Sequence, residues 1–519
     1  MQVKCILVSG SMPKKDDSSG KLISNSFYLM LDWGMSTVLS LVFWLIVSRT
    51  FSVADYGIVS TSVNTSLVIA AFALLGMNAV VVRMIPVYMK SGRMDKVNGI
   101  VRFAMKFAFM SNLVVAGLIF LLAPQMSDVL NLPVESVWAI SLLVFGWGFF
   151  YMTNGIFQGL QNMRLLFGSN LIGQVLKLAL PFVLFAVIAG FMGPMIAFVV
   201  SLFVPVIIRS FFLPRGPGSK VSGREMVIGI GLPVLVTSIM WIIFTNTPNI
   251  IVNSVTGDQA VTGVFAIAMT LIVPIVFIPM TLSQALTPIN SGLSATSNPK
   301  KRQGQLISQV IRFTSFLTVP LVALLLVFSS QIILFFSHKA ENLPASDLLL
   351  FLAPGALLVG IGQILVSSIF AVGDIKATRN ITVLSVAIFF AVGIYATSVL
   401  SSFGMAIGYL LSALVLVFMS YLYLRKYVGL RVDLAPIMKV VLAAMVFAAV
   451  AMPLNAAVQS NLLKFGAVLV AMAAYLISLG LMRYYTKDDL KIVRHLSSRS
   501  KTMSRVLRPV EALLEKAVG

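Results

Sequence analysis

Residues 55–86 read DYGIVSTSVNTSLVIAAFALLGMNAVVVRMIP: an aromatic-glycine step, about two dozen mostly apolar residues, then a cation, Arg83. The pattern returns later in the chain. Thr262-Gly263-Val264-Phe265-Ala266-Ile267-Ala268 matches Tyr56-Gly57-Ile58-Val59-Ser60-Thr61-Ser62 at an offset of 206 residues. The stretch from Gly193 to Leu202 likewise resembles that from Gly404 to Ala413, offset by 211. Ile156-Phe157, followed by Gly159 and Arg164, pairs with Ile369-Phe370, followed by Gly373 and Arg379, at 213. Three matches in one order at similar spacing point to an internal duplication.

Composition sets the class. Of 519 residues, 59% are hydrophobic and only 11% charged, and the mean hydropathy is +0.99. Apolar runs of about 20 residues, enough to cross a hydrocarbon core of about 30 Å, recur from Phe27 almost to the end. The expected fold is all-α: a polytopic membrane protein of about 14 spans, with two parallel six-helix lobes and two extra C-terminal helices. The spans fall at 27–47, 58–81, 103–123, 137–157, 168–189, 194–212, 226–251, 264–286, 313–336, 348–371, 381–400, 405–424, 437–454 and 465–481. The organisation is a tail over 1–25, an N-lobe over 26–213, a C-lobe over 225–424, helices 13 and 14 over 437–485 and a basic tail over 486–519.

Residues 1–25 lack the apolar region and cleavage site of a signal peptide and read as a polar tail. The single cysteine, Cys5, lies there, which leaves no intrachain disulfide or cysteine metal cluster.

The net charge of +21 is a matter of topology. With a cytoplasmic N-terminus, the outer connections hold only Arg49, Lys339 and Lys464 of the 38 basic residues. The inner connections hold clusters such as Lys90-Arg93-Lys96-Arg102, Arg215-Lys220-Arg224 and Lys300-Lys301-Arg302. This alternation follows the positive-inside rule, puts both termini in the cytoplasm and checks the span count. The basicity then serves topology and anionic lipid head groups, and no nucleic-acid partner is expected.

The duplication pairs spans 2, 4 and 6 with 8, 10 and 12. Six helices return the chain to its starting side, so the repeats are parallel, and in transporters such repeats place the substrate path between halves. No outer connection is long enough for a large catalytic loop.

Several polar residues inside the spans share helical faces. Span 5 carries Asn170, Gln174 and Lys177, with Lys177 about 14 Å into the span, near the midplane. Span 7 carries Asn246, Asn249 and Asn253, interrupted by Pro248. Span 10 offers Gln363, and span 1 offers Asp32 four residues after Tyr28. Arg49 and Arg83 mark span ends. Each amide has an ordinary alternative reading, bonding a neighbouring helix, and Arg49 and Arg83 have one in snorkelling to the interface. Lys177 and Asp32 are too deep for that, and neutralising each other across the bundle is one option. The tail over 486–519 fits an interfacial helix or a solvated basic segment equally. His338 and His495 are the only histidines, and no Walker-type loop occurs, so no enzyme activity, cofactor or metal is expected.

The run from Ser48 to Gly57 (SRTFSVADYG), then Leu75-Gly76-Met77 and Arg83, resembles the opening of the bacterial polysaccharide-export flippases of the multidrug/oligosaccharidyl-lipid/polysaccharide exporter superfamily. The segments Phe157-Gln158-Gly159 to Arg164, Gly257 to Gly263 and Phe403 to Ala406 fit it too, and the resemblance covers spans 1–12. It implies two six-helix lobes around a V-shaped cavity in the inner membrane. It also implies a polyprenyl-pyrophosphate-linked oligosaccharide carried from inner to outer leaflet by alternating access, for O-antigen, capsule or exopolysaccharide assembly. Partners would be that lipid-linked oligosaccharide, membrane lipids, and polysaccharide polymerase and chain-length machinery. Lys177, Arg83 and Arg49, with Asn170, Gln174, Asn246, Asn249 and Gln363, become candidates for the anionic substrate, and Asp32 for ion coupling. The chain departs from the family in span 7, where Asn246 and Asn249 stand in place of a frequent charge. A multidrug or cation antiporter of the superfamily, a lipid II flippase and a membrane polymerase or ligase stay open as alternatives.

Overall fold

A computed structural model describes residues 15–185, 188, 190–293, 298–458, 460–486 and 490. Cys5, His495, most of the N-terminal tail and nearly all of the C-terminal tail lie outside them. Among the described residues the secondary structure is helical throughout.

The chain divides into two compact units, Met1–Ile250 and Ile251–Gly519. The first contains α1 (Lys15–Thr50), α2 (Val53–Ala73), α3 (Met77–Lys90), α4 (Met94–Leu121), α5 (Ala123–Leu130), α6 (Val134–Gly159), α7 (Met163–Phe185) and α8 (Met192–Ser210). A π-helical turn, Glu225–Gly231, leads into α9 (Leu232–Thr256), which carries the chain into the second unit. The second contains α10 (Gln259–Leu271), α11 (Val273–Leu293), α12 (Pro299–Val327), α13 (Ser329–Ser337), α14 (Ala345–Val372), α15 (Ile375–Leu400), α16 (Ser402–Val428), α17 (Leu434–Ala457) and α18 (Asn461–Leu481).

Twelve helices among the described residues are long and apolar enough to cross a membrane; α10 and α11, bent by 44°, make a thirteenth if they form one span. Side chains such as Phe120, Leu121, Phe182, Val183 and Leu481 are exposed along them, as expected of surfaces that meet hydrocarbon. This is a multi-pass membrane protein.

The two units repeat one packing scheme. In the first, α6 is central and packs against α2, α3, α4 and α8, while α7 packs on α8. In the second, α14 packs against α10, α11, α12 and α16, while α15 packs on α16. Local chemistry repeats as well. Ser52 caps α2 by accepting the Asp55 N–H at 3.0 Å. At the 206-residue offset Asp258 caps α10, accepting the N–H groups of Ala260 and Val261 at 2.8 and 3.1 Å. Ser201 returns its hydroxyl to the Phe198 carbonyl on α8, and Ser412 does the same to Tyr409 on α16.

Span 2 is not one continuous helix. It breaks at Leu74–Gly76, where Leu75 (φ 47°) and Gly76 (φ 73°) adopt left-handed backbone. A Cβ on Gly76 would stand 2.3 Å from the Gly231 carbonyl oxygen, so the turn needs glycine for both its φ and its close neighbour. Span 8 also breaks, about two turns earlier in the repeat, at Ile272, just before Pro274, which removes a backbone donor from the ladder.

Helices α17 and α18, outside the duplication, pack together and onto α12. Tyr475 donates to the Phe316 carbonyl at 3.0 Å and Tyr484 to that of Arg312 at 3.3 Å. With Phe328, Phe447 and Leu479 these tyrosines form a separate apolar cluster.

Candidate functional site

The charged residues buried in the first unit collect where α7 packs between α1 and α8. Asp32 on α1, Asn170 on α7 and Arg209 in the last turn of α8 are all buried, Arg209 completely. The Asn170 amide donates to both carboxylate oxygens of Asp32, at 2.9 and 3.1 Å, and its own oxygen accepts from Arg209 Nη2. One amide thus bridges a buried anion to a buried cation, using donor and acceptor at once. The rest of the guanidinium is also engaged. Nε donates to Ser169 Oγ at 2.8 Å, Nη1 to Thr153 Oγ1 at 3.2 Å and Nη2 to the Leu166 carbonyl at 3.5 Å, and its carbon lies 5.3 Å from the Phe150 ring centre. Burial of a charge is tolerable only with such partners.

Lys177 lies two turns further along α7 and is only 3% exposed. Its ammonium donates to Ser40 Oγ at 3.0 Å and sits 5.2 and 4.9 Å from the ring centres of Phe43 and Phe198. The two rings meet edge to face at 5.6 Å, so the cation is held by a hydroxyl and two aromatic faces. The Lys177–Asp32 pairing considered from the sequence does not form. Asp32 bonds Asn170, with the Arg209 charge beside it, and among the described residues Lys177 has no carboxylate partner.

Arg209 is not among the residues that sequence reasoning singles out, and it is more deeply buried than Lys177. It stands close to the end of span 6, where a long cation ordinarily snorkels out. The signal available was complementary: Asp32, Ser169 and Asn170 are polar residues in spans 1 and 5 that need a positive partner, and span 6 contains one arginine.

The other candidates are dispersed. Gln174 is half-buried on α7 with its Oε1 unsatisfied among the described residues. On α9, Asn246 donates to the Ile242 carbonyl at 2.9 Å and to Thr245 Oγ1 at 2.8 Å, while Asn249 is buried with Oδ1 unsatisfied. Arg49 is half-buried in the last turn of α1, and Arg83 is exposed on α3. In the second unit the Gln363 carbonyl accepts from Ser283 Oγ at 3.4 Å, and the same hydroxyl donates to Ser367 Oγ at 2.8 Å, joining α11 to α14. Asp32 and Asn170 are therefore the two predicted residues that bond each other. Among the described residues no group of three His, Cys, Asp or Glu side chains is placed to hold a metal.

Residues 46–339, more than half of the chain, match the model of a family described as polysaccharide biosynthesis protein. The chain belongs to that family. The matched stretch includes Lys177 and Arg209 but begins after Asp32. No curated protein matches the chain. Among solved structures, the lipid II flippase MurJ in an inward closed conformation is 14% identical, with a TM-score of 0.67, covering 88% of this chain and 98% of its own. An inward-facing multidrug-resistance MATE transporter of the MOP superfamily is 16% identical at a TM-score of 0.61, covering 76% and 94%. A MOP superfamily transporter from Pyrococcus furiosus, described as having a binding pocket of reverse polarity, is 16% identical at a TM-score of 0.56, covering 79% of this chain and 95% of its own. At these identities the likeness establishes the fold that this family member shares with them.

Proposed function

We propose that this chain is a flippase that moves a polyprenyl-pyrophosphate-linked oligosaccharide from the inner to the outer leaflet of a bacterial inner membrane by alternating access. Its termini then face the cytoplasm, 26–213 and 225–424 are its duplicated lobes, and it acts as a transporter, not an enzyme. Its partners are the lipid-linked oligosaccharide, membrane lipids and the polymerase and chain-length machinery that receive the product. Membership of a polysaccharide biosynthesis family and a fold shared with a lipid II flippase support this reading.

The observation that carries it is the different state of the two buried cations. Arg209 faces Asp32 through Asn170 and is already balanced. Lys177 is held by Ser40 and two rings, with no anion beside it among the described residues. An unbalanced ammonium within a span is costly unless an anion visits it, and a pyrophosphate is such an anion. Lys177 is the principal phosphate partner in this reading. Within the first unit Gln174, Asn246 and Asn249 supply amides to the sugars and Arg49 and Arg83 supply charge at the span ends, while Asn170 holds Asp32 and Arg209 and Gln363 is the second unit's own amide candidate. Asp32 is the ion-coupling group: a proton on its carboxyl would weaken its hold on Asn170 and release Arg209.

Complementation tests this. A deletion strain carrying the wild-type chain should restore surface polysaccharide. Lys177→Ala at equal abundance should lose most of it, while Lys177→Arg keeps more. Intact polysaccharide in the deletion strain, together with a new sensitivity to cationic drugs, would instead make the chain a drug exporter.

A further inference from the structure

Away from the buried charges, the start of α4 and the segment after α8 enclose a cavity of about 360 Å³ lined by Asn98, Arg102, Lys106, Leu213 and Arg215, among others. Three of its lining residues are cations and none is an acid. The segment is fixed to α4 at two points: Arg102 donates to the Gly216 carbonyl at 2.9 Å and Asn98 Nδ2 to that of Pro217 at 3.3 Å. Those bonds hold the backbone in place and leave Lys106 and Arg215 exposed, without a bonded partner among the described residues. Asn98 Oδ1 is buried and likewise unsatisfied.

The cations continue into an apolar stripe. Arg102, Lys106, Phe109, Met110 and Leu113 follow one another at spacings of four, three, one and three residues, which keeps them on one face of α4. Phe109, Met110 and Leu113 are all exposed, and Phe211 and Phe212 are exposed beside the cavity at the end of α8. From Arg102 to Leu113 the helix rises about 16 Å, roughly half of a hydrocarbon core. A cationic cup at one end and an open apolar stripe running from it match an amphiphile with a negative head and hydrocarbon tails.

We propose that this cavity binds the phosphate head group of an anionic phospholipid, with Lys106 and Arg215 on the phosphate and the acyl chains along Phe109, Met110 and Leu113. It is a peripheral site, and it stands whether or not the transported substrate is the one proposed above. Its physical basis is that juxtamembrane lysines and arginines attract anionic lipid, and a shaped pocket converts that attraction into a bound molecule.

The test is native mass spectrometry of the full chain purified in detergent and delipidated, titrated with phosphatidylglycerol, with phosphatidylcholine, and with phosphatidylglycerol in the presence of inorganic phosphate. Lys106→Gln/Arg215→Gln removes the two free cations while sparing the Arg102 bond that holds the segment, and Arg425→Gln/Lys426→Gln removes two exposed cations elsewhere. The wild type should prefer phosphatidylglycerol, and the first double variant should lose about tenfold in that affinity while the second loses little. An unchanged preference in the first variant, or an equal loss in both, overturns the site. Displacement of the lipid by millimolar inorganic phosphate would show a free-anion site and overturn the lipid assignment.

Discussion

At the residue scale, Asn170 matters because its amide is used in both directions. Removing Arg209 leaves Asp32 as an uncompensated anion among helices, so Arg209→Met should cost about 3–5 kcal/mol. Adding Asp32→Asn removes the stranded charge, and the double variant should recover a large part of that loss. Thermal unfolding of the purified variants in detergent checks both, and a double variant no more stable than Arg209→Met would mean that the two charges do not interact. Lys177 should behave differently: with no carboxylate to strand, Lys177→Met should change unfolding by no more than about 1.5 kcal/mol while abolishing transport. The sequence exposed Asp32, Asn170 and Lys177 because their spacing puts them on helix faces inside apolar runs. It hid Arg209, since a cation three residues from a span end looks like an interfacial anchor until α6 and α7 are seen to cover it.

At the element scale, the long apolar helices were legible, because hydrophobic runs of membrane length leave few alternatives. Their breaks were not, because span 2 stays apolar through Leu74–Gly76 and only Gly76 hints at the left-handed turn. The glycines of α6 explain why α3 packs so tightly there. A Cβ at Gly155 would lie 2.6 Å from the Asn78 carbonyl oxygen, and one at Gly159 would lie 2.9 Å from that of Val81. Gly155→Leu should therefore force α3 from α6 and lower stability by about 3 kcal/mol or more, read as a fall in the yield of monodisperse protein and in Tm. In the second unit, Asp374 caps α15 by accepting the Ala377 N–H at 2.9 Å and also accepts the Tyr423 hydroxyl of α16. The Tyr423 bond first, then the Ala377 N–H, holds this carboxyl below its usual value of 3.8. A depressed folded-state pKa stabilises above the unfolded value, and that stabilisation is lost as pH falls through the folded one. Tyr423→Phe should thus be less thermostable than wild type at neutral pH, and the gap should close below about pH 4. A gap independent of pH would mean that the tyrosine acts through packing alone.

At the scale of the whole molecule, the duplication seen in short sequence matches reappears as one contact scheme used twice, with α6 and α14 in equivalent central positions. Stacked apolar helices conceal such a repeat, since Leu, Val and Ile interchange freely on lipid-facing surfaces; what survives are positions with steric or hydrogen-bonding duties, such as Ser52 and Asp258 as caps, and Ser201 and Ser412 as back-bonding hydroxyls. Among the described residues the two units differ in chemistry: the buried aspartate, arginine and lysine belong to the first, while the spans of the second bury mainly hydroxyls and amides. A transporter of an anionic lipid would then recognise its phosphate chiefly with the first unit. The most direct measurement is translocation in proteoliposomes carrying a fluorescent polyprenyl-pyrophosphate oligosaccharide, with the label in the outer leaflet destroyed by a membrane-impermeant reductant. The wild-type chain should bring nearly all of the label within reach of the reductant, and Lys177→Ala at equal incorporation should leave close to half protected. Equal protection with wild-type protein and with empty vesicles would contradict the account.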